Sequence, residues 1–149
     1  MSNTIPSGNI ISRSVTVNLL LSPMQALEAT GQPLYVIKSV AETMPRCNKS
    51  KQEVFFVKHD RWMGCTDWSV YLDSLGLKPC DPYTLAKVNE DDREFANKYP
   101  NRTHWRDCSE THWCVAIFAR WGGKRRVDIY KITGDGYWNS TVWFASVLK

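Results

Sequence analysis

The chain carries five cysteines and three histidines, the side chains best suited to nucleophilic or proton-transfer chemistry. His104 and His112 stand in Thr-His-Trp and Thr-His-Trp-Cys. Cys114 with either imidazole would supply a thiol nucleophile and its base. Sequence spacing does not bring such pairs together, and Cys114 falls inside an apolar run where cysteine packs as a small hydrophobe. His59-Asp60 near Cys65 offers metal-ligating types, but no second cluster completes a coordination set and no two cysteines have C-x-x-C spacing. Asp81, Asp91 and Glu94 are accounted for as helix caps. The sequence has no G-x-G-x-x-G, phosphate-binding loop or G-x-S-x-G. Trp138-Asn139-Ser140 lacks an acid after the Asn, so no calcium site is assigned. The expectation is no enzyme, no metal and no cofactor. An odd, irregularly spaced cysteine set (Cys47, Cys65, Cys80, Cys108, Cys114) is not a disulfide framework. One pair, Cys108 with Cys114, could bridge, but free, partly buried thiols of a reducing compartment are the expectation.

The stretch that suggests a function is Phe118–Lys149. One frame of its middle reads Arg125, Val127, Ile129, Lys131, and the interleaved frame reads Arg126, Asp128, Tyr130, Ile132. On a strand these are opposite faces. The first has an apolar centre that suits a core. The second mixes a cation, an anion, an aromatic and an aliphatic, as a binding surface would. Trp121, Trp138 and Trp143 are expected to anchor the surrounding scaffold by burial. On this pattern Ile129→Ala should be costly, while Tyr130→Ser and Asp128→Asn should be nearly neutral.

The elements that must position this block follow from periodicity and turn residues. The 149 residues, 43% hydrophobic, suit one domain with one core. Residues 1–14 are polar and small, predicting a loose arm. Val15–Leu21 alternates as a strand with one buried face. Ser22-Pro23-Met24-Gln25 is a capping box with Pro at the first helical position, and Gly31 ends that helix. Leu34–Met44 carries a helical stripe through Ile37, Val40, Ala41 and Met44, with Tyr35-Val36-Ile37 as a competing short strand. Glu53–His59 reads as a buried strand. Asp67 is the predicted cap of a helix with stripe Trp68, Tyr71, Leu72 and Leu75, closed by Gly76. Asp81-Pro82 opens a third helix. A fresh capping box at Asp91 and Glu94 predicts a short helix through Tyr99, stopped at Pro100-Asn101. From Thr103 the period becomes two, with strands expected at His112–Trp121, Arg125–Ile132 and Val142–Leu148. Gly122-Gly123 and Gly134-Asp135-Gly136 mark the turns between them. The order predicts an α+β fold with helices packed on a small antiparallel sheet.

Charge and targeting signals narrow the partners. The formal net charge is +4, and Lys124-Arg125-Arg126 is the one basic run, short for a nucleic-acid footprint. A small nucleic-acid-binding module, using the Trp set to stack bases, remains the first rival to a ligand-binding protein. A cysteine-dependent enzyme is the second. The N-terminal residues lack the apolar core of a signal peptide, and no apolar run reaches a membrane span. The expected location is therefore cytoplasmic unless a carrier exports or displays the chain.

From Asp81 onward the chain resembles the variable proteins of diversity-generating retroelements, particularly an archaeal group. The features that carry the resemblance are DPYTLAKVNE at Asp81–Glu90, THW at Thr103–Trp105, and the final block with Trp121, Arg125, Val127, Ile129, Lys131, Trp138, Trp143 and Phe144. The resemblance implies a single C-type-lectin-like domain over residues 1–149, with a variable ligand-binding region at about residues 118–142. It implies an unknown ligand, a protein or cell-surface molecule, and no nucleic acid. In this family adenine-directed errors diversify mostly Asn codons at their first two bases, which cannot yield Trp, Lys, Glu, Gln, Met or a stop. The positions it marks as variable are Ala119, Gly122, Arg126, Asp128, Tyr130, Ile132, Thr133, Gly134, Tyr137, Asn139, Ser140 and Thr141. All are permitted types, and the Trp and Lys of the block fall between them.

Overall fold

The computed structural model describes residues 9–107, 109, 112–138 and 141–149. In chain order its elements are β1 (Ile10–Thr16), α1 (Pro23–Glu28), β2 (Leu34–Val36), α2 (Lys38–Ala41), β3 (Lys51–Val57), α3 (Cys65–Ser74) and β4 (Leu77–Pro79). There follow α4 (Pro82–Asp91), α5 (Phe95–Lys98), β5 (Asn101–Arg106), β6 (Trp113–Trp121), β7 (Lys124–Ile132) and β8 (Trp143–Leu148). The fold is α+β. The sheet differs from the small antiparallel one expected: it has eight strands in the order β1-β3-β8-β5-β6-β7-β2, with β4 also paired to β8. It is mixed, because β2 runs parallel to β7 and β5 parallel to β8. Parallel partners lie far apart in sequence, so no turn signal announces them.

Local chemistry explains most element ends. At α1 the Ser22 hydroxyl accepts from Gln25 N–H and the Gln25 side chain accepts from Ser22 N–H, the expected capping box. At α4 the Asp81 carboxylate accepts from Thr84 N–H at 3.0 Å. Gly31, at φ 72°, turns the chain out of α1. The Leu34–Met44 ambiguity resolves into both readings, β2 and then α2.

Four expectations are corrected. Ile10–Ser14 is not a loose arm but most of β1, with Ile11 packed against the core. The first strand ends at Thr16, so Leu19 and Leu20 are exposed. Asp67 lies within the first turn of α3 rather than capping it; Gly64 is the N-cap and offers no side chain. Asp91 and Glu94 form no capping box, since α4 runs through Asp91, and Asp92 Oδ1 accepts from Glu94 N–H instead.

The sheet buries both faces. On one, α1, α2, α4 and α5 pack against Val54, Phe56, Trp105, Cys114, Ala116, Phe118, Val127, Ile129 and Trp143. On the other, α3 lays Trp68 and Leu72 over Val57 and Phe144. Beyond α3 a smaller cluster forms on β6, where Val115, Ile117 and Ala119 meet Tyr130, Ile132 and Trp138. Strand β6 thus contributes alternate residues to two cores, which accounts for its unbroken apolar run Cys-Val-Ala-Ile-Phe-Ala. Among the described residues no helix is long and apolar enough to cross a membrane.

Candidate ligand-binding face

Antiparallel pairing of β6 with β7 sets Ala119 opposite Arg126, Ile117 opposite Asp128, Val115 opposite Tyr130 and Trp113 opposite Ile132. Paired residues share a face. Parallel pairing of β2 adds Tyr35 beside Asp128. The expected division of β7 holds at its centre: Val127 and Ile129 are 0% exposed in the main core, and Arg126, Asp128, Tyr130 and Ile132 lie on the other side.

That other side is more ordered than an open surface. Arg126 Nε donates to Asp128 Oδ2 at 3.1 Å, and its guanidinium lies 4.3 Å from the Tyr35 ring and 5.9 Å from that of Trp121. Cation–π attraction and the carboxylate together fix the orientation of the guanidinium while leaving it partly open to solvent. Tyr35 and Trp121 are themselves 57% and 52% exposed. Trp121 is therefore not the buried anchor expected of it, whereas Trp143 is buried and Trp138 half-buried. Burial, and then the Asp128 carboxylate, push the Tyr130 hydroxyl pKa up, so the phenol stays neutral and can donate.

The connection from β7 to β8 closes over the end of this face. Trp138 bridges to Met63, its N–H donating to Met63 O at 3.1 Å, and its ring sits in the β6 cluster. Asp135 caps α3 in place of Gly64: its backbone O accepts from Cys65 N–H at 2.9 Å, and its Oδ1 accepts from Thr66 N–H at 2.8 Å. The approach is close enough that a Cβ at Gly64 would lie 1.9 Å from Asp135 Oδ2 and 2.6 Å from Gly136 O. Outward of these anchors Thr133, Gly134 and Thr141 are exposed, and Tyr137 is 72% exposed.

The predicted positions thus separate. Gly122, Thr133, Gly134, Tyr137 and Thr141 are exposed, while Arg126, Tyr130 and Ile132 are partly so. Ala119, at 4%, presents no surface, and Asp128, at 9%, acts mainly through Arg126. Asn139 and Ser140 lie outside the described residues, as does the Cys108–Cys114 pairing. Tyr35 was missed. Its short strand was read as an alternative to a helix, and a parallel partner over ninety residues away leaves no local trace.

Of the catalytic pairings, Cys114 with His104 does not assemble. Cys114 pairs with Trp105 and faces the main core near the Thr43 hydroxyl, whereas His104 faces α3 with Nε2 2.9 Å from Ser69 Oγ. His59 packs edge-on against Tyr71 and Trp68 rather than beside Cys65. A cavity of about 520 Å³ opens elsewhere, lined in part by Arg46, Cys47, Lys49, Lys78 and Asp81. Burial pushes the Cys47 thiol up, which makes it a poor nucleophile there. Of the basic run, Arg125 lies 4.0 Å from the exposed Glu94 and Arg126 is held by Asp128, while Lys124 has no ion pair among the described residues. Comparison with protein-family models, with curated proteins and with solved structures returns no match.

Proposed function

We propose that this is a ligand-binding protein of the diversity-generating retroelement type, with a C-type-lectin-like arrangement, whose variable surface is the outer side of β7 and the turns at its ends. The observation that carries the reading is the split of β7. Val127 and Ile129 hold the fold, while the opposite frame presents an oriented guanidinium between exposed Tyr35 and Trp121. A surface that must accept many side chains cannot also support the core, and strand alternation separates the two duties. The hold of Asp128 on Arg126 argues against the nucleic-acid rival, which needs cations free for phosphate.

The decisive test is the DNA beside the gene. An imperfect repeat of the gene's 3′ end, next to a reverse-transcriptase gene, should differ almost only at adenines of the repeat. Those differences should fall in the codons of Gly122, Arg126, Asp128, Tyr130, Ile132, Thr133, Gly134, Tyr137 and their neighbours in the predicted set. Mismatches spread evenly over Trp121, Val127 and Trp143 would sink the reading.

A further inference from the structure

Arg126 is held on one side and open on the other. Its Nε donates to Asp128 Oδ2 at 3.1 Å, and the Tyr35 ring, 4.3 Å from the guanidinium, fixes the plane. Nη1 and Nη2 have no hydrogen-bond partner among the described residues, and the side chain is 34% exposed. A guanidinium carries its donors in a rigid planar fork. The edge formed by Nη1 and Nη2 is therefore an oriented fork that faces solvent.

The surroundings extend this edge into a patch. Lys124 stands opposite Trp121 in the β6–β7 pairing, so it emerges on the same side as Arg126, two residues before it. Lys124 is exposed and has no ion pair among the described residues. On β2 the ladder continues past Tyr35, with Ile37 N–H donating to Ile129 O at 3.0 Å, which puts the Ile37 side chain on the same side as Tyr35. Tyr35, Ile37 and Trp121 are 57%, 51% and 52% exposed. Asp128 is buried and already bound to Arg126, so Lys124 and Arg126 together leave the patch positive. Two rings and an aliphatic side chain frame that charge.

We propose that this patch receives an Asp or Glu side chain from a segment of a partner protein, seated between Tyr35 and Trp121 in bidentate contact with Arg126 Nη1 and Nη2. The proposal rests on the reading of this side of β7 as a ligand-binding face and adds the chemistry of the ligand. A planar carboxylate matches the spacing of the fork. Apolar residues beside the acid cover Ile37 and the rings, as in the core of a protein interface. A second copy of this chain is a poor occupant. A two-fold contact would set Lys124 and Arg126 against their own images, on a chain of net charge +4. A phosphate polymer also fits less well. Arg126 covers one face of the Tyr35 ring and denies it to a base, and Arg125 lies on the opposite side of β7.

The test selects binders to the intact protein from a displayed library of random peptides and titrates the recovered peptides by calorimetry. They should share an acid beside an aromatic or aliphatic residue. Replacing that acid by its amide should weaken binding about tenfold, Arg126→Gln should do the same, and the two changes together should cost little more than either alone. Arg126→Lys, which keeps the charge and loses the fork, should not restore binding. Lys78→Gln should leave it unchanged, since β4 pairs with β8, which β5 and β6 separate from β7. The acid-to-amide change lies on the peptide, so it reads the contact even where Arg126→Gln disturbs the fold. Peptides weakened by Trp121→Ala but indifferent to Arg126→Gln and to loss of their acid would overturn the carboxylate while keeping the face. Peptides indifferent to both protein variants would overturn the face itself. Recovery of no binder overturns the proposal. So does displacement of the peptides by sialyllactose or by single-stranded oligothymidylate at the peptide's own concentration, which would assign the acid to a sugar or a phosphate.

Discussion

The two sides of β7 are built by different rules. Towards the main core, Val127 and Ile129 are 0% exposed among apolar neighbours, where shape alone matters. Towards the other side, Arg126, Asp128 and Tyr130 are held by a ring, a carboxylate and partial burial. Further along that same side α3 closes over β8 and the charged Arg102 is sealed in, whereas near β2 Tyr35 and Trp121 stay exposed. The lesson is that the face proposed to bind a ligand is not loose. Its groups can be fixed in direction while their outer atoms remain available.

Substitutions can break this comparison. The largest effect is expected on the core side: Trp143→Ala should cost at least about 3 kcal/mol and Ile129→Ala about 2–5 kcal/mol, read by denaturant unfolding. A silent Ile129→Ala would mean that the faces are reversed.

On the other side the effects should be smaller but not zero. Tyr130→Ser should cost about 1 kcal/mol, because the ring is half-buried against Val115 and Ile117. That corrects the near-neutrality expected from alternation alone. Asp135→Ala should cost about 1 kcal/mol by removing the cap of α3, with the loss visible in far-ultraviolet dichroism.

Acid sharpens the contrast. His104 is 2% exposed, and burial, with Arg102 and Arg106, holds its pKa well below the usual 6.5. Below about 6.5 the unfolded chain takes up a proton that the folded one refuses, so this contribution to stability is full above that pH and falls as pH drops. The slope should approach about 1.4 kcal/mol per pH unit and shrink in His104→Asn, measured by urea unfolding between pH 7 and 5. The smallest effect belongs to the exposed rim: Trp121→Ala should change stability by within about 0.5 kcal/mol. A large loss there would make Trp121 the scaffold residue first expected.

Much of the fold was legible because its causes are local. The Ser22–Gln25 box, the Asp81 cap, the Gly31 turn and the two-faced pattern of β7 each depend on neighbours in sequence. What escaped depends on distant partners. Strand β5 reads as polar, yet Asn101 is met by Asn89, Thr103 by the Cys80 carbonyl and His104 Nε2 by Ser69. The cap of α3 comes from Asp135, sixty-nine residues beyond Thr66. At the candidate face the alternation of β7 was readable, but the second aromatic wall, Tyr35, and the buried Arg102 follow only from sheet order.

That sheet order has a consequence for the birth of the protein. Strand β8 pairs with β3 on one edge and with β5 and β4 on the other. It is the last of the eight strands to leave the ribosome, yet it occupies the middle. Until Trp143–Leu148 emerges, the β1–β3 pair and the β5–β6–β7 meander have no backbone ladder between them. Any substitution just upstream must therefore leave this final strand intact, since it converts two half-sheets into one.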